Sequence, residues 1–343
     1  MSERFRVGLT RDCTKPSGEL VFGDIALDVL RNARYLHYEL IDELTPEITQ
    51  EQASAYDAIV VLAPKVTANT LAGPNRRVKL FARVGVGYDN IDTAACTQAG
   101  VLLTITPDGV RRPVATVILT FVLALSLKLF VKDRLTRTGQ WGERTNHMGE
   151  GLVGKTIGSV GLGNIGREAF RLLRPLDMKH IAHDPAGDPK VAAELGVRLV
   201  ELDTVMCESD FVMINCPLLP STRGLIGARQ LGLMKPSAYF INTARGPIAN
   251  EAALYRALSE RRIAGAALDV FEQEPTPVDN PILKLDNVIT TPHSLCWTDE
   301  CFRLMAEGAF SSTVAVSQGQ VPPNIVNRVA LSHAQWYGKA ERG

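Results

Sequence analysis

Three short stretches in the second half of the chain carry side chains that could bind an organic acid and move a proton. Arg245 lies in NTARGPIAN, Glu274 in LDVFEQEP and His293 in TPHSLCWTDE. A guanidinium suits bidentate binding of a carboxylate, and an imidazole exchanges a proton near neutral pH. A carboxylate paired with that imidazole would favour its protonated form. Each of these residue types, taken alone, is more often a surface or turn residue. Whether the three could act together depends on the elements that position them.

The stretch TIGSVGLGNIGREAFRLLRPLDMKHIAHD, residues 156–184, predicts the element that positions such groups. A strand-like run leads into Gly161, Gly163 and Gly166, in the order G-x-G-x-x-G. The first glycine allows a tight turn, the second a close approach of backbone to a pyrophosphate, and the third close packing of helix on sheet. The helix N-terminus then faces the phosphates. Asp184, about 20 residues further on, suits a ribose hydroxyl.

The acidic end of this stretch also indicates which cofactor is bound. The carboxylate of Asp184 would repel a 2′-phosphate, and Pro185 rather than an arginine follows it. An arginine near this point typically accommodates NADP. We therefore predict a Rossmann-type unit that binds NAD.

Composition excludes several classes of protein. The 343 residues include 37 Lys plus Arg and 37 Asp plus Glu, so the formal net charge is zero and nothing indicates a nucleic-acid or membrane partner. The six cysteines form no C-x-x-C and no metal-ligand spacing, which predicts free thiols and no metal. The start, MSERFRVGLT, shows no secretory signal. We expect a cytoplasmic protein.

One apolar segment, VILTFVLALSLKLFV at residues 117–131, resembles a membrane span. It is shorter than the roughly 20 residues that a span needs, and Lys128 interrupts it. Pro113 stands where a helix could start. We predict a helix buried in a core or at a subunit interface.

Strand and helix patterns alternate along the chain, which predicts parallel α/β sheets. Before residue 104 the predicted strands are 4–10, 56–63 and 80–84, with a helical pattern at 25–30. After Asp184 they are 198–200, 211–215, 238–242, 265–270 and 288–290. Residues 298–318 read as a helix, and we expect the tail after Val329 to be loosely held. The glycine pair in RVGVGYDNID, residues 83–92, predicts a turn that either holds a carboxylate on its N–H groups or simply ends a strand.

The motifs VGLGNIGR, INTARG, LDVFEQEP and TPH, in this order, resemble the D-isomer-specific 2-hydroxyacid dehydrogenase family. PLLPSTRGLI, RTGQW and RVGVGYDNID are similar to further family segments, and the likeness covers roughly residues 55–325. It implies two doubly wound parallel-sheet domains, with a Rossmann nucleotide domain inserted into a flavodoxin-like substrate domain. Residues 1–104 and 295–343 would form the substrate domain, and residues 105–294 the nucleotide domain. The resemblance also implies a homodimer formed through the helix after Pro113.

The resemblance implies a role for each candidate residue. Arg245 would bind the carboxylate of a small 2-oxo acid, His293 would exchange a proton with its carbonyl oxygen, and Glu274 would orient His293. Backbone N–H groups of Val86 and Gly87 would hold the substrate carboxylate. The cofactor would be lined by Asn164, Ile165, Pro217, Thr222, Thr243 and Ala244, with Asp269 on the nicotinamide carboxamide.

Some residues depart from the family pattern and leave the substrate open. Asn215 and Cys216 stand where the family often has His before P-L, and the run after His293 contains Trp297 instead of a small, glycine-containing sequence. Arg111 and Arg112 could meet a phosphate or a second carboxylate.

Two further enzyme readings and two non-catalytic ones remain. Formate dehydrogenases of this fold carry Gln where Glu274 stands, which argues against formate as the substrate. A phosphite dehydrogenase needs an Arg for the anion and a His base, and both are present, so this alternative stays open. A corepressor of the same fold, gated by NAD, is disfavoured because the sequence shows no long disordered tail or extra basic surface. The presence of all three candidate residues argues against an inactive NAD-binding subunit.

Overall fold

The structure is a computed structural model that describes residues 4–336. The strands are β1 Phe5–Leu9, β2 Leu36–Leu40, β3 Ala58–Val61, β4 Leu80–Arg83, β5 Leu102–Thr104, β6 Thr156–Val160, β7 Lys179–His183, β8 Val197–Leu199, β9 Phe211–Ile214, β10 Tyr239–Asn242, β11 Gly265–Leu268 and β12 Val288–Thr290. The helices are α1 Gly23–Ala26, α2 Asp28–Arg31, α3 Gln50–Ala55, α4 Thr93–Gln98, α5 Pro107–Ser126, α6 Leu129–Arg137, α7 Asn164–Leu173, α8 Pro189–Glu194, α9 Leu202–Glu208, α10 Ala228–Leu233, α11 Glu251–Ser259 and α12 Asp299–Ser317. Short 3-10 turns lie at Arg11–Cys13, Trp141–His147, Arg174–Leu176, Gly246–Ile248, Pro281–Lys284, Arg328–Ser332 and Ala334–Trp336.

The chain divides into two compact units. Unit 1 comprises the chain up to Val110 and again from Trp297, and unit 2 runs from Arg111 to Cys296. Unit 2 therefore interrupts the sequence of unit 1, and one boundary falls within α5.

Unit 1 is built on a five-stranded sheet in the order β2-β1-β3-β4-β5, in which all neighbours are parallel. The apolar strands β3 and β4 are central, and Ile59 and Phe81 are fully buried in the core on one face. This strand order is that of the flavodoxin-like fold.

Unit 2 is built on a seven-stranded parallel sheet in the order β12-β11-β10-β9-β6-β7-β8. The order reverses between β9 and β6, which is the point where a doubly wound sheet binds ligands beyond the carboxyl ends of its strands. Both faces are covered by apolar packing. The fold class predicted from the sequence, two doubly wound parallel-sheet units with the Rossmann arrangement in the inserted one, is confirmed.

Helix α5 differs from the sequence prediction at its start. It begins at Pro107 rather than near Pro113, so Pro113 lies inside the helix. A proline at the first helical position costs nothing, and an internal proline removes the one hydrogen bond that it would have donated to the carbonyl of Gly109.

Within residues 4–336, α5 is the one helix whose length and hydropathy would let it cross a membrane. More than half of its most apolar window, 56%, is buried. Ile118 and Phe121 pack with Ile157 and Phe170 in the core of unit 2. This packing fits the predicted core helix.

The C-terminal segment corrects another expectation. The indole of Trp336 is 2% exposed and its Nε1–H donates to the carbonyl of Gly100 at 2.8 Å. Ala330 is also fully buried. The expectation of a loosely held tail is wrong up to residue 336 because an aromatic anchor fixes it, and residues 337–343 lie outside the described range. The six cysteines are free thiols, as predicted.

Candidate active site

The glycine-rich loop connects β6 to α7 and has the geometry that its spacing predicts. Gly161 has φ +102°, and a Cβ there would lie 2.7 Å from the backbone nitrogen of Cys216. A Cβ on Gly166 would lie 2.9 Å from the carbonyl oxygen of Gly161, so α7 packs directly on the turn. Around Gly163, by contrast, a Cβ would meet no described residue within 4 Å apart from its chain neighbours. The loop therefore leaves backbone accessible next to the N-terminus of α7, which fits the pyrophosphate of a dinucleotide.

Asp184 follows β7 and is fastened to this loop. Its Oδ2 accepts the N–H of Leu162 at 2.7 Å, and its Oδ1 accepts the N–H of Ala186 at 2.9 Å. Each carboxylate oxygen retains a lone pair that could accept a hydroxyl. The arrangement fits the predicted ribose contact.

The other predicted cofactor residues lie beyond the carboxyl ends of neighbouring strands of the same sheet. Pro217 and Thr222 follow β9, where the Thr222 hydroxyl donates to the carbonyl of Pro217 at 2.6 Å and accepts the N–H of Leu219 at 2.8 Å. Thr243 and Ala244 follow β10. Unit 2 thus brings together the members of this set, which are Gly161, Gly163, Asn164, Ile165, Gly166, Asp184, Pro217, Thr222, Thr243, Ala244 and Asp269.

His293 and Glu274 form a hydrogen-bonded pair. Nδ1 of His293 lies 2.7 Å from Oε2 of Glu274, and Oε1 of Glu274 accepts the N–H of Phe271 at 2.9 Å. Burial alone would raise the pKa of Glu274, but the bond to His293, the N–H of Phe271 and the charge of Arg245 together hold that pKa below its ordinary value. An ionised carboxylate only accepts, so Nδ1 carries the proton and Nε2 is left for exchange with a substrate.

The backbone at His293 is held in an unusual conformation. Its φ is 52°, in the left-handed region that non-glycine residues rarely adopt. Asp269, which is buried after β11, accepts from Thr291 Oγ1 at 2.5 Å and from the N–H groups of Ser294 and Leu295 at 3.2 and 3.3 Å through one oxygen, Oδ1. This carboxylate therefore fixes the segment that carries His293, in addition to the cofactor role that the resemblance implies.

Arg245 is positioned by a residue that sequence reasoning missed. Asn242 ends β10 and is 2% exposed. Its Oδ1 accepts the N–H of Ala244 and its Nδ2 donates to the carbonyl of Arg245, both at 3.0 Å. The available signal was an Asn at the end of an apolar strand-like run, because such a side chain commonly closes the turn that follows it.

A second missed pair ties the Glu274 loop to α11. The N–H of Glu251 donates to Glu272 Oε1 at 3.0 Å, and the N–H of Glu272 donates to Glu251 Oε2 at 2.9 Å. The two residues are far apart in sequence, so no local signal indicated this contact.

The predicted carboxylate loop lies in unit 1, after β4. Arg83 donates from Nε to the carbonyl of Gly87 at 2.8 Å and from Nη1 to the carbonyl of Val84. The N–H of Gly85 donates to Thr106 Oγ1 at 2.8 Å. Among residues 4–336, no protein acceptor takes the N–H of Val86 or Gly87, so both could bind an anion.

Arg112 and Trp297 have protein partners. Arg112 Nη1 lies 2.6 Å from Oε1 of Glu168 on α7, and this guanidinium, together with Arg171, lowers the pKa of Glu168 against the opposing effect of burial. The ring of Trp297 packs edge-on against Phe302 at 5.1 Å and remains 53% exposed. Arg112 is thus engaged in an ion pair with the helix of the glycine-rich loop.

No group of three or more His, Cys, Asp or Glu in the described part of the chain is placed to hold a metal ion. The doubly wound sheet, the glycine-rich loop with its acidic partner and the Arg and His–Glu groups at the same sheet edge define a dinucleotide-dependent dehydrogenase.

Comparison with known proteins identifies the family. Residues 119–294 match the family model described as D-isomer specific 2-hydroxyacid dehydrogenase, NAD binding domain. The chain is 37% identical over 302 residues to a glyoxylate reductase of Korarchaeum cryptofilum, covering 85% of this chain and 90% of the relative. The chain belongs to the D-isomer specific 2-hydroxyacid dehydrogenase family, which confirms the resemblance, and it is an NAD-dependent oxidoreductase.

Two more comparisons set the limits of the likeness. A D-3-phosphoglycerate dehydrogenase of Archaeoglobus fulgidus is 38% identical over 303 residues, which cover 88% of this chain but 57% of that protein. The chain thus spans little more than half the length of that relative. The NAD-complexed crystal structure of a D-isomer specific 2-hydroxyacid dehydrogenase from Lactobacillus delbrueckii ssp. bulgaricus matches with a TM-score of 0.77 at 25% identity, covering 94% of this chain and 100% of that one.

Proposed function

We propose that the protein reduces a small 2-oxo acid to the D-2-hydroxy acid, and catalyses the reverse oxidation. The 2-oxo acid, NADH and a proton give the 2-hydroxy acid and NAD⁺. The observation that carries the proposal is the His293–Glu274 pair, 2.7 Å apart, at the same sheet edge as the glycine-rich loop. NADH supplies the hydride when bound, and the chain's own residues supply orientation, charge and the proton.

Each residue has a distinct task in this proposal. Arg245 binds the substrate carboxylate and polarises the 2-oxo group. His293 donates its Nε2 proton to the carbonyl oxygen, and Glu274 stabilises the charged imidazole before transfer. In unit 1, the N–H groups of Val86 and Gly87 form a turn that would bind a carboxylate.

For the substrate we favour glyoxylate or an acid of similar size. The glyoxylate reductase relative is matched over 90% of its length, whereas the phosphoglycerate dehydrogenase is matched over 57%. Arg112, one candidate for a substrate phosphate, is already paired with Glu168. The test is NADH oxidation with glyoxylate, hydroxypyruvate, pyruvate, 2-oxoglutarate and phosphorylated sugar acids. Activity only with phosphorylated acids would contradict the size assignment, and turnover of phosphite with NAD as the main activity would contradict the class of substrate.

The role of His293 is tested by substitution. We expect His293→Ala to lower kcat by about 10²-fold or more, because no other group then donates the proton. The dissociation constant for NADH, measured by fluorescence, should stay close to that of the wild type. Turnover near the wild-type rate in this variant would exclude His293 as the proton donor.

We also infer a homodimer formed by unit 2. A helix-end apolar surface follows α5 and consists of Leu127, Leu129, Phe130, Trp141 and Met148, each more than half exposed. Gly149 lies against Ser126 and Leu127, which places Met148 next to the end of α5. Such exposed apolar area is typical of a subunit interface, and it coincides with the region to which the family resemblance assigns dimerisation. The free cysteines support our expectation of a cytoplasmic enzyme.

A further inference from the structure

We propose that Asn215, acting through Ser159, is a positioning residue that locks the first peptide plane of the glycine-rich loop in the NAD-binding orientation. The inference concerns the cofactor site alone and does not depend on which 2-oxo acid is reduced.

The two side chains form a relay at the switch point of the sheet. Ser159 is fully buried in β6, and its Oγ lies 2.6 Å from the carbonyl oxygen of Gly161. Asn215, just beyond β9, donates from Nδ2 to Ser159 Oγ at 2.9 Å. The hydroxyl has a single proton, and a carbonyl can only accept. Ser159 therefore donates to Gly161 and can only accept from Asn215.

The same peptide plane is held from its other side by Asp184. The carbonyl of Gly161 and the N–H of Leu162 belong to one peptide unit, and this N–H donates to Asp184 Oδ2 at 2.7 Å. Side chains thus hold both polar ends of the plane.

This plane needs such a clamp because Gly161 has no side chain to restrict it. Glycine populates positive and negative φ about equally, whereas the loop requires φ +102° at Gly161. If the plane rotated, the carbonyl of Gly161 would leave the place against which Gly166 packs. The backbone next to Gly163 would then no longer present the open surface that fits a pyrophosphate.

Asn215 is the member of this clamp that donates to Ser159. The amide suits the position because it offers a donor to a hydroxyl that has no free proton.

The test is a double-mutant cycle on NADH affinity. We expect Ser159→Ala and Asn215→Leu each to raise the dissociation constant for NADH by about 3- to 10-fold, the usual effect of one lost hydrogen bond. The double variant should be no weaker than the more affected single variant, because the two side chains act as one unit. At saturating NADH, kcat should stay within about twofold of the wild type, since the groups that touch the substrate are unchanged.

The chain offers a matched control. Ser209 is another fully buried serine, and it packs against Gly158, the residue before Ser159 in β6. Its hydroxyl has no hydrogen-bond partner among residues 4–336. Ser209→Ala should leave NADH affinity unchanged. Asn215→His, which restores a donor, should bind NADH more tightly than Asn215→Leu. In the NADH-free protein, amide exchange at residues 162–166 should be faster in Ser159→Ala than in Ser209→Ala.

Two results would overturn the proposal. One is a folded Ser159→Ala variant that binds NADH like the wild type and shows unchanged exchange at residues 162–166. The other is a double variant in which the two losses multiply, which would mean that Asn215 and Ser159 act independently.

Discussion

Gly246 directly follows Arg245 and lies against the loop that carries Glu274. A Cβ on Gly246 would stand 1.9 Å from the carbonyl carbon of Phe271 and 2.4 Å from the backbone nitrogen of Glu272. Both neighbours are backbone atoms, so no side-chain rotation could make room. The absence of a side chain at Gly246 therefore sets the spacing between two of the three proposed catalytic groups.

We expect Gly246→Ala to separate these loops, lowering kcat/KM by about 10-fold or more and stability by about 1–3 kcal/mol, as overpacking usually does. The measurements are steady-state kinetics and urea unfolding. Gly232→Ala in α10 is the control, because within 4 Å its Cβ would meet no described residue outside its chain neighbours and its own helix backbone, and alanine favours a helix over glycine. Equal behaviour of the two variants would mean that the loops tolerate the added carbon.

The candidate catalytic residues could be singled out from the sequence because their motifs are local and ordered along the chain. Arg245, Glu274 and His293 each follow a strand-like run. Their supports could not be predicted, since Asn215 meets Ser159 and Glu251 meets Glu272 only after the strands are side by side. Contacts between distant positions leave no trace in local spacing.

At the scale of elements, β7 combines a structural role with a buried ionisable group. His180 is 7% exposed, its ring lies 4.9 Å from that of Phe170, and its Nε2 has no hydrogen-bond partner in the described part of the chain. Burial, and then the positive charge of Arg174, lower the pKa of His180 below its ordinary 6.5. The folded protein therefore keeps this imidazole neutral.

This shift makes stability depend on pH in a defined direction. Because the folded pKa is lowered, the unfolded chain binds the proton first, and stability is lost as pH falls through 6.5 toward the folded value. Unfolding by urea at about pH 7.5 and about pH 5.5 should show a larger loss for the wild type than for His180→Leu, by up to about 1 kcal/mol. Equal losses in both proteins would assign the acid sensitivity to other groups.

The sequence patterns predicted both edge strands of the unit 2 sheet, β8 and β12, and β12 has the predicted bounds. The edge strands of the unit 1 sheet, β2 and β5, were not predicted. β2 reads LHYEL and is partly exposed, and β5 has three residues. A short or polar edge strand is defined by its neighbour more than by its own residues. The start of α5 was placed wrongly because Pro107 and Pro113 are both plausible helix-start prolines.

At the scale of the whole molecule, the inserted arrangement follows from where the chain leaves and re-enters unit 1, at Val110 and at Trp297. The fold class could be predicted because alternating strand and helix patterns and the glycine fingerprint define it. Assembly could only be inferred, since one apolar segment can serve a core, an interface or a membrane. More than half of the apolar window of α5 is buried in the core, and the exposed apolar residues follow the C-terminal end of the helix.

The proposed homodimer can be tested with variants of that surface. Phe130→Glu should convert a dimer to a monomer in analytical ultracentrifugation, because a buried unpaired charge at an interface is costly. Val329→Glu, which alters a 72% exposed side chain in unit 1, should leave the dimer intact. If the wild-type protein sediments as a monomer at micromolar concentration, the proposed interface is wrong.

The bond between Asp184 and the N–H of Leu162 has a consequence for protein engineering. Asp184 is the proposed ribose-binding residue, and its replacement by a small neutral residue is the obvious way to admit NADPH, since it would remove the expected repulsion of a 2′-phosphate. In this chain the same change would strip the acceptor from a backbone N–H of a residue that is 1% exposed, at a cost of about 1–3 kcal/mol. The proposed cofactor specificity and the rigidity of the loop thus depend on the same carboxylate. A change from NADH to NADPH would therefore need a substitute acceptor for this N–H as well as a pocket for the 2′-phosphate. A single substitution at Asp184 should not be enough to change the cofactor preference.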